Sequence, residues 1–275
     1  MKVDSHHHFW KYDPKEYGWL DDSMKAIRRD FLPPQLKHEI DAVGIDGVVT
    51  VQVRQTVDET KWMLGLAQAN AFIRGVVGWA PLTERKVADV LEPLAGNRKL
   101  KSLRHIIQGE PDENYILRED FNLGVAVLSH FHLAYDILIY ERHLPQTIRF
   151  VDKHPHQIFV LDHIAKPKIK EHILSPWREN MLQLAKRENV YCKLSGMVTE
   201  ADHGHWTPHD LDPYFDTALE AFGPRRLMFG SDWPVCLVAT TYSAWFHLVE
   251  KKIAQLSAAE RDRILGGTAV EAYKL

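Results

Sequence analysis

Met1-Lys2-Val3-Asp4-Ser5-His6-His7-His8-Phe9-Trp10 opens the chain, and Leu227-Met228-Phe229-Gly230-Ser231-Asp232-Trp233-Pro234 stands near its end. The second begins as a short apolar run, and both finish on side chains that hold protons or cations. In a closed barrel of parallel strands the first and last strands are neighbours, and their C-terminal ends share one mouth. His6, His8 and Asp232 can therefore meet although most of the chain separates them. These two stretches point to an α/β chain folded as a single (β/α)₈ barrel of the TIM type.

The rest of the chain fits that expectation. Its 275 residues suit one barrel, whose usual size is roughly 250. Apolar runs over Lys2–His8, Gly47–Val53, Ile73–Ala80, Leu100–Ile107, His132–Tyr140, Gln157–His163, Val190–Ser195 and Leu227–Asp232 predict eight strands. Amphipathic stretches lie between them, as βα units require. Asp58-Glu59-Thr60 opens one helix with acidic residues, Pro33-Pro34 opens Gln35–Val43, and Pro176 opens Trp177–Arg187. Gly44 and Asn189 close two of these helices. The aromatic, charged segment 12–32 lacks periodicity and reads as a loop capping the mouth of a one-domain chain, 1–275. An open doubly wound sheet is the other arrangement of βα units, but no glycine-rich phosphate loop follows the first strand.

Composition narrows the function classes. A net charge of −3 gives no electrostatic case for nucleic acid or an anionic membrane. Cys192 and Cys236 are too few for a disulfide framework, and no apolar run reaches the length of a membrane span or forms a signal peptide. A reduced, cytoplasmic enzyme is expected.

Sixteen histidines are the unusual count. His6 and His8 share one side of their strand and His7 takes the other, so His7 is assigned a structural role. Three consecutive histidines inside a strand pattern are too few for a purification tag. His163, in Leu161-Asp162-His163-Ile164-Ala165-Lys166-Pro167, also ends an apolar run. With His6, His8 and Asp232 it makes a divalent-metal site with open positions. Alone, His163 would read as a core histidine. Asp162 is expected on the outward side, and His38, His143, His154, His156, His172 and His247 are expected in exposed structural roles.

Five segments taken in order identify a resemblance. Val3–Trp10, Gly75–Leu82, Leu161–Pro167, Asn189–Gly196 and Phe229–Pro234 resemble the sugar-lactonase branch of the amidohydrolase superfamily, the group of L-fuconolactonases and L-rhamnonolactonases. The resemblance spans the chain, one motif per strand end. It implies a distorted (β/α)₈ barrel and hydrolysis of an aldonolactone to the aldonic acid. Binuclear members of the superfamily carry a bridging carboxylated lysine on the fourth strand. Here that strand has its lysines at the wrong end, and Tyr135 and Asp136 stand on the fifth strand where relatives place a metal histidine. At most one divalent ion, zinc or manganese, is expected at His6, His8, His163 and Asp232, and some relatives of this branch need none.

Lactone opening needs an activated water, a stabilised oxyanion and a protonated leaving alkoxide. Asp232 is assigned as general base, with His6, His8, His163 and either Arg104 or His105 available to the oxyanion. The residues leave open which of Gln52 and Arg54, and which of Arg104 and His105, faces the site; His105 is favoured. Trp79, Lys193, Ser195 and Trp233 complete the candidates for substrate contact, with rim packing an equal reading for both tryptophans. Cys192 and Cys236 read as buried thiols. Two competing readings remain. A hydrolase or decarboxylase of carboxylated pyrones or muconolactones would need more inward arginines than Arg54 and Arg104. A catalytically inactive sugar-binding protein would not need Asp232 together with all three histidines.

Overall fold

The computed structural model describes residues 1–275 and contains the eight expected strands. They are β1 Val3–His7, β2 Gly47–Val51, β3 Ile73–Gly78, β4 Leu100–Ile106, β5 Ala134–Leu138, β6 Phe159–Leu161, β7 Val190–Leu194 and β8 Leu227–Phe229. All neighbours pair in parallel in the order β1 to β8. The ring closes at its C-terminal end, where His7 bridges Trp233, Asp232 N–H donates to the His6 carbonyl (2.7 Å) and His8 N–H donates to the Trp233 carbonyl (2.7 Å). The architecture is a (β/α)₈ barrel.

The strands are shorter than the apolar runs suggested, because their last residues leave the ladder to form the mouth. α1 spans Pro33–Val43 and ends on Gly44 at φ 69°, a left-handed cap that suits glycine. α2 spans Val57–Ala69, capped by Thr56, whose hydroxyl accepts from Glu59 N–H at 3.2 Å. α3 (Val87–Ala95), α4 (Glu119–Val127) and α5 (Leu144–Lys153) follow their strands in turn. α6 covers Trp177–Leu184, stopping short of Arg187. α7 (Pro208–Arg226) and α8 (Tyr242–Lys252) complete the outer ring; α9 is Ala258–Asp262 and α10 is Thr268–Tyr273. The larger apolar core lies between barrel and helices, where Trp10, Trp177, Trp233 and Trp245 are fully buried.

Inside the barrel a second apolar layer forms a floor from Val3, Val49, Val51, Val77, Val160 and Met228, sealed from below by Ala269, Ala272 and Tyr273 of α10. A bulge in β1 links floor and mouth. Asp4 pairs with Val48 and His7 with Thr50, so Ser5 and His6 together oppose Val49. The extra residue reverses which side chains face inward. Val3 therefore lies in the floor, yet His6 and His8 also point into the barrel.

Candidate active site

His7 faces out, as expected. Its Nε2 lies 2.9 Å from Thr50 Oγ1, and its ring meets Phe9 edge-on. On the inner side His6, His8, His163 and Asp232 converge. Asp232 Oδ1 lies 3.3 Å from His8 Nε2, 3.8 Å from His6 Nε2 and 3.9 Å from His163 Nε2. His6 Nε2 and His8 Nε2 are 3.2 Å apart.

Local backbone conformation makes this convergence possible. His163, Ile164, Ala165 and Lys166 have φ of 52°, 47°, 61° and 48°, a left-handed turn built without glycine. Such a turn costs roughly 1–2 kcal/mol per residue and persists only where its surroundings hold it. Trp177 Nε1–H donates to the Ile164 carbonyl (2.8 Å), and Lys166 N–H donates to the His163 carbonyl (2.8 Å). Gly196 provides the space: a Cβ there would lie 2.6 Å from His163 Nδ1, and its own φ is +66°. Asp232 is also left-handed, at φ 56°. Its loop is tied to β1 through the buried Asp4, which accepts from Ser231 N–H (2.9 Å), Ser231 Oγ–H (2.6 Å), Tyr242 O–H (3.0 Å) and His6 N–H (3.1 Å). Burial raises the Asp4 carboxyl to about 6 in spite of these four donors.

The donor set fits a divalent ion. His8 Nδ1 faces the Val51 carbonyl at 2.8 Å, so Nδ1 carries the proton and the Nε2 lone pair points at Asp232 and His6. Burial lowers His6 well below the ordinary histidine value and His163 to about 4, leaving both neutral at pH 7. Burial works against ionising Asp232, but the neighbouring His163 outweighs it and holds the carboxyl below its usual range. Lone pairs that converge this closely call for a shared cation or proton. Tetrahedral N/O ligands at 2.0–2.1 Å would stand about 3.3 Å apart, close to the 3.2 and 3.3 Å separations of His6, His8 and Asp232. The His6 tautomer decides between the two. If His6 Nδ1–H donates to Asp162 Oδ1 (3.3 Å), its Nε2 is free to bind a metal. If Nδ1 accepts from Lys193 Nζ (3.1 Å), Nε2–H instead faces His8.

Beneath the imidazoles lies a layer of buried charge. Lys193 Nζ meets Asp136 Oδ2 at 2.6 Å and Asp162 Oδ1 at 2.9 Å; Arg104 meets Asp162 Oδ2 at 2.9 Å. Ser102 and Tyr273 hydroxyls donate to Asp136 at 2.6 and 2.7 Å. Burial opposes ionising Asp162, but Lys193, His6 and Arg104 hold its carboxyl well below the usual range. Asp162 was expected to face outward. It faces in because β6 side chains alternate from Val160 in the floor.

The remaining candidates divide. Gln52 faces the barrel, its amide donating to the Arg104 carbonyl (3.2 Å) and its Oε1 accepting from Arg104 (3.0 Å). Arg104 also donates to the Gln52 carbonyl. Arg54 lies beyond the end of β2 and pairs with Glu16 of the N-terminal segment. The preference for His105 over Arg104 is reversed. His105 faces away, stacked on Tyr115 (4.9 Å between centroids), 2.6 Å from Glu110 and 3.3 Å from Trp79 Nε1. Trp79 is thereby engaged with His105. Lys193 is fully buried below the imidazoles, so it positions His6 and does not meet solvent or a ligand in the mouth. Ser195 sits 2.9 Å from His163 Nδ1. Trp233 is buried between Phe9 and Phe31. His143 is buried, contrary to its expected exposure. Cys192 and Cys236 are buried free thiols whose ionisation burial pushes up. Segment 12–32 packs Tyr17 and Phe31 against Trp10, whose indole donates to the Arg29 carbonyl (2.8 Å). No helix is long and apolar enough to cross a membrane.

The amidohydrolase family model matches residues 3–275. The chain belongs to the amidohydrolase family. Over its whole length it is 40% identical to an L-fucono-1,5-lactonase from Burkholderia multivorans and 32% identical to one from Burkholderia ambifaria, covering 96% of each. It also superposes on the crystal structure of an amidohydrolase from Burkholderia multivorans with bound zinc. That match has a TM-score of 0.96 and 41% identity, and covers 100% of this chain and 99% of the other.

Proposed function

We propose that this amidohydrolase opens an aldono-1,5-lactone of a 6-deoxy-L-sugar, L-fucono-1,5-lactone foremost, to the free aldonic acid. The observation that carries the reading is the single ionised carboxylate at the focus of three imidazoles in the barrel mouth, Asp232 Oδ1 with His8, His6 and His163 at 3.3, 3.8 and 3.9 Å. Full-length identity to two L-fucono-1,5-lactonases supports the substrate class.

In this reading Asp232 takes the proton of the attacking water as it adds to the lactone carbonyl. The ring C–O bond then breaks, and the proton held at Asp232 passes to the leaving alkoxide. His163, pinned through Nδ1 by Ser195, turns Nε2 towards the reacting atoms. Arg104 and Lys193 hold Asp162, and Asp162 and Lys193 fix the ring plane of His6. His6, His8, His163 and Asp232 are the residues that would hold one divalent ion, zinc or manganese. When bound, such an ion supplies Lewis acidity towards the carbonyl or a more acidic water. Turnover does not depend on it: a lactone leaves as an alkoxide, an easier group than an amide nitrogen, and the alternative His6 tautomer satisfies the imidazoles with protons.

The test is lactone turnover, followed with a pH indicator on a panel of L- and D-aldonolactones before and after chelation. Expected are hydrolysis of 6-deoxy-L-sugar lactones, persistence after chelation, and a loss of at least about 100-fold in kcat/KM for Asp232→Asn, the low end for removing a general base. Near-normal activity of folded Asp232→Asn removes Asp232 from the role. Turnover lost on chelation and restored by zinc makes the metal essential. No turnover of any sugar lactone moves the reading to carboxylated aromatic-pathway substrates.

A further inference from the structure

A cavity of about 520 Å³ opens between the loops that follow β5, β6 and β7. Tyr140 and Arg142 border it from the loop after β5, Lys166 from the left-handed turn, Thr199 and Glu200 from the loop after β7, and Ser23 from the N-terminal segment. Two of these residues are fixed to the catalytic cluster by backbone. Lys166 closes the turn that begins at His163, through its N–H to the His163 carbonyl. Glu200 N–H donates to the carbonyl of Gly196 (3.4 Å), the residue packed under the His163 ring. Both charges reach the chemistry: Lys166 acts on His163 and Asp232, and Glu200 acts on Asp232.

Lys166 Nζ and Glu200 Oε1 stand 3.6 Å apart, with side chains 17% and 23% exposed. That separation is too long for a good hydrogen bond, and neither group has another hydrogen-bonding side-chain partner. An ammonium with three donors and a carboxylate with four lone-pair sites are thus half-buried, adjacent and largely unused. Burial pushes the Glu200 carboxyl up, against the pull of Lys166. The Tyr140 ring lies 5.7 Å from Lys166 Nζ and 4.8 Å from the Arg142 guanidinium, which limits where Lys166 can swing. The cavity lining carries four Lys or Arg side chains and four carboxylates. A site for a dicarboxylate would show an excess of cations; this balance suits a neutral ligand rich in hydroxyls.

We propose that Lys166 and Glu200 are the specificity-determining pair of this site, Lys166 donating to one sugar hydroxyl and Glu200 accepting from its neighbour while the lactone carbonyl rests at Asp232. The inference rests on the sugar-lactone reading and says which residues recognise the sugar. The pair binds the substrate and takes no part in moving the proton.

The experiment compares wild type, Lys166→Met and Glu200→Gln on L-fucono-1,5-lactone and on δ-valerolactone, the same ring without hydroxyls. Each variant should raise KM for the sugar lactone about 10- to 100-fold, the range for losing one hydrogen bond to a charged group, with kcat changed far less. Activity on δ-valerolactone, where only the charge felt by His163 and Asp232 changes, should fall far less than activity on the sugar lactone. Lys166→Arg, which keeps the donor, should recover most of the loss, and thermal melts identify any variant that fails to fold. Equal losses on both lactones, or an unchanged KM for the sugar lactone, overturn the proposal. Calorimetric binding of L-fuconate separates this proposal from the lactonase reading. Wild type that binds L-fuconate but hydrolyses nothing fails the lactonase reading alone; the pair is then upheld if both variants bind L-fuconate at least about 10-fold more weakly, and overturned if they do not. Wild type that neither binds nor hydrolyses overturns both.

Discussion

Replacing Lys193 with Met removes the ammonium that Asp136 and Asp162 share, and the consequences for the two carboxylates differ. Asp162 keeps Arg104 at 2.9 Å and His6 at 3.3 Å. Asp136 keeps only the hydroxyls of Ser102 and Tyr273. Burial already raises the Asp136 carboxyl against the opposing pull of Lys193, so in the variant Asp136 is driven neutral. Removing one member of a buried pair costs about 3–5 kcal/mol. At about 2–4 °C per kcal/mol for a chain of this size, the melting temperature falls by roughly 6–20 °C. Lys193→Met with Asp136→Asn removes the stranded charge as well and should recover about half of that loss. The pH dependence has a definite sign. A carboxyl whose folded pKa lies above its unfolded value binds its proton more tightly when folded, and the resulting stability fades as pH rises through the window between the two values. The deficit of Lys193→Met relative to wild type should therefore grow from pH 4 to pH 8. Thermal and urea denaturation of wild type, both single variants and the double variant measure the cycle. A single variant that loses less than about 1 kcal/mol, or a double variant no more stable than Lys193→Met, would refute the idea that this layer is held by charge compensation.

Glu59 provides a second pH-dependent test. Its buried carboxylate accepts from the N–H groups of Val53 (3.0 Å) and Arg54 (2.7 Å), yet burial raises it from 4.5 to about 7. Its contribution is fully present below pH 4.5 and lost by pH 7, about 3 kcal/mol in all, so Glu59→Gln should gain stability relative to wild type between pH 5 and pH 8; a constant difference across that range would exclude the raised value. Gly196→Ala places a Cβ 2.6 Å from His163 Nδ1 at a φ of +66°. It should cost about 1–3 kcal/mol of stability and displace His163 from Ser195, lowering kcat/KM by about 10-fold or more. Wild-type kinetics in that variant would mean His163 does not act from the position seen here.

The sequence made the barrel legible because its evidence is periodic and local: eight strand patterns, helix openers at Pro33 and Asp58-Glu59, a closing Gly44. The convergence of His6, His8, His163 and Asp232 was legible because each stands at the end of a strand pattern. What escaped depends on register and backbone conformation. The bulge at Ser5–His6 changes which residues face inward without any marker residue. The left-handed turn at His163–Lys166 has no glycine to announce it. Counting alternation back from His163 as if the strand continued placed Asp162 outside. Counting forward from Val160 would have placed it inside. Arg104 and His105 alternate, but nothing local indicates which of them the register turns inward. Lys166 and Glu200 come together only because two loops are both anchored on His163.

The vertical order of side chains in the barrel supports the proposal that Asp232, among several buried carboxylates, is the base. The floor is apolar, from Val3 to Met228. Above it two cations, Lys193 and Arg104, face two carboxylates, Asp136 and Asp162, and their contacts close within the layer. That layer holds His6 while adding little net field at the mouth. Asp4 is on the outer side of β1, saturated by four donors. Asp232 alone faces imidazoles at 3.3–3.9 Å with no guanidinium or ammonium bonded to it. A carboxylate locked in an ion pair has its lone pairs occupied; Asp232 stays ionised among imidazoles with lone pairs open to a water molecule. A lysine or arginine introduced within reach of Asp232 should therefore depress turnover even if the geometry of the histidines is unchanged.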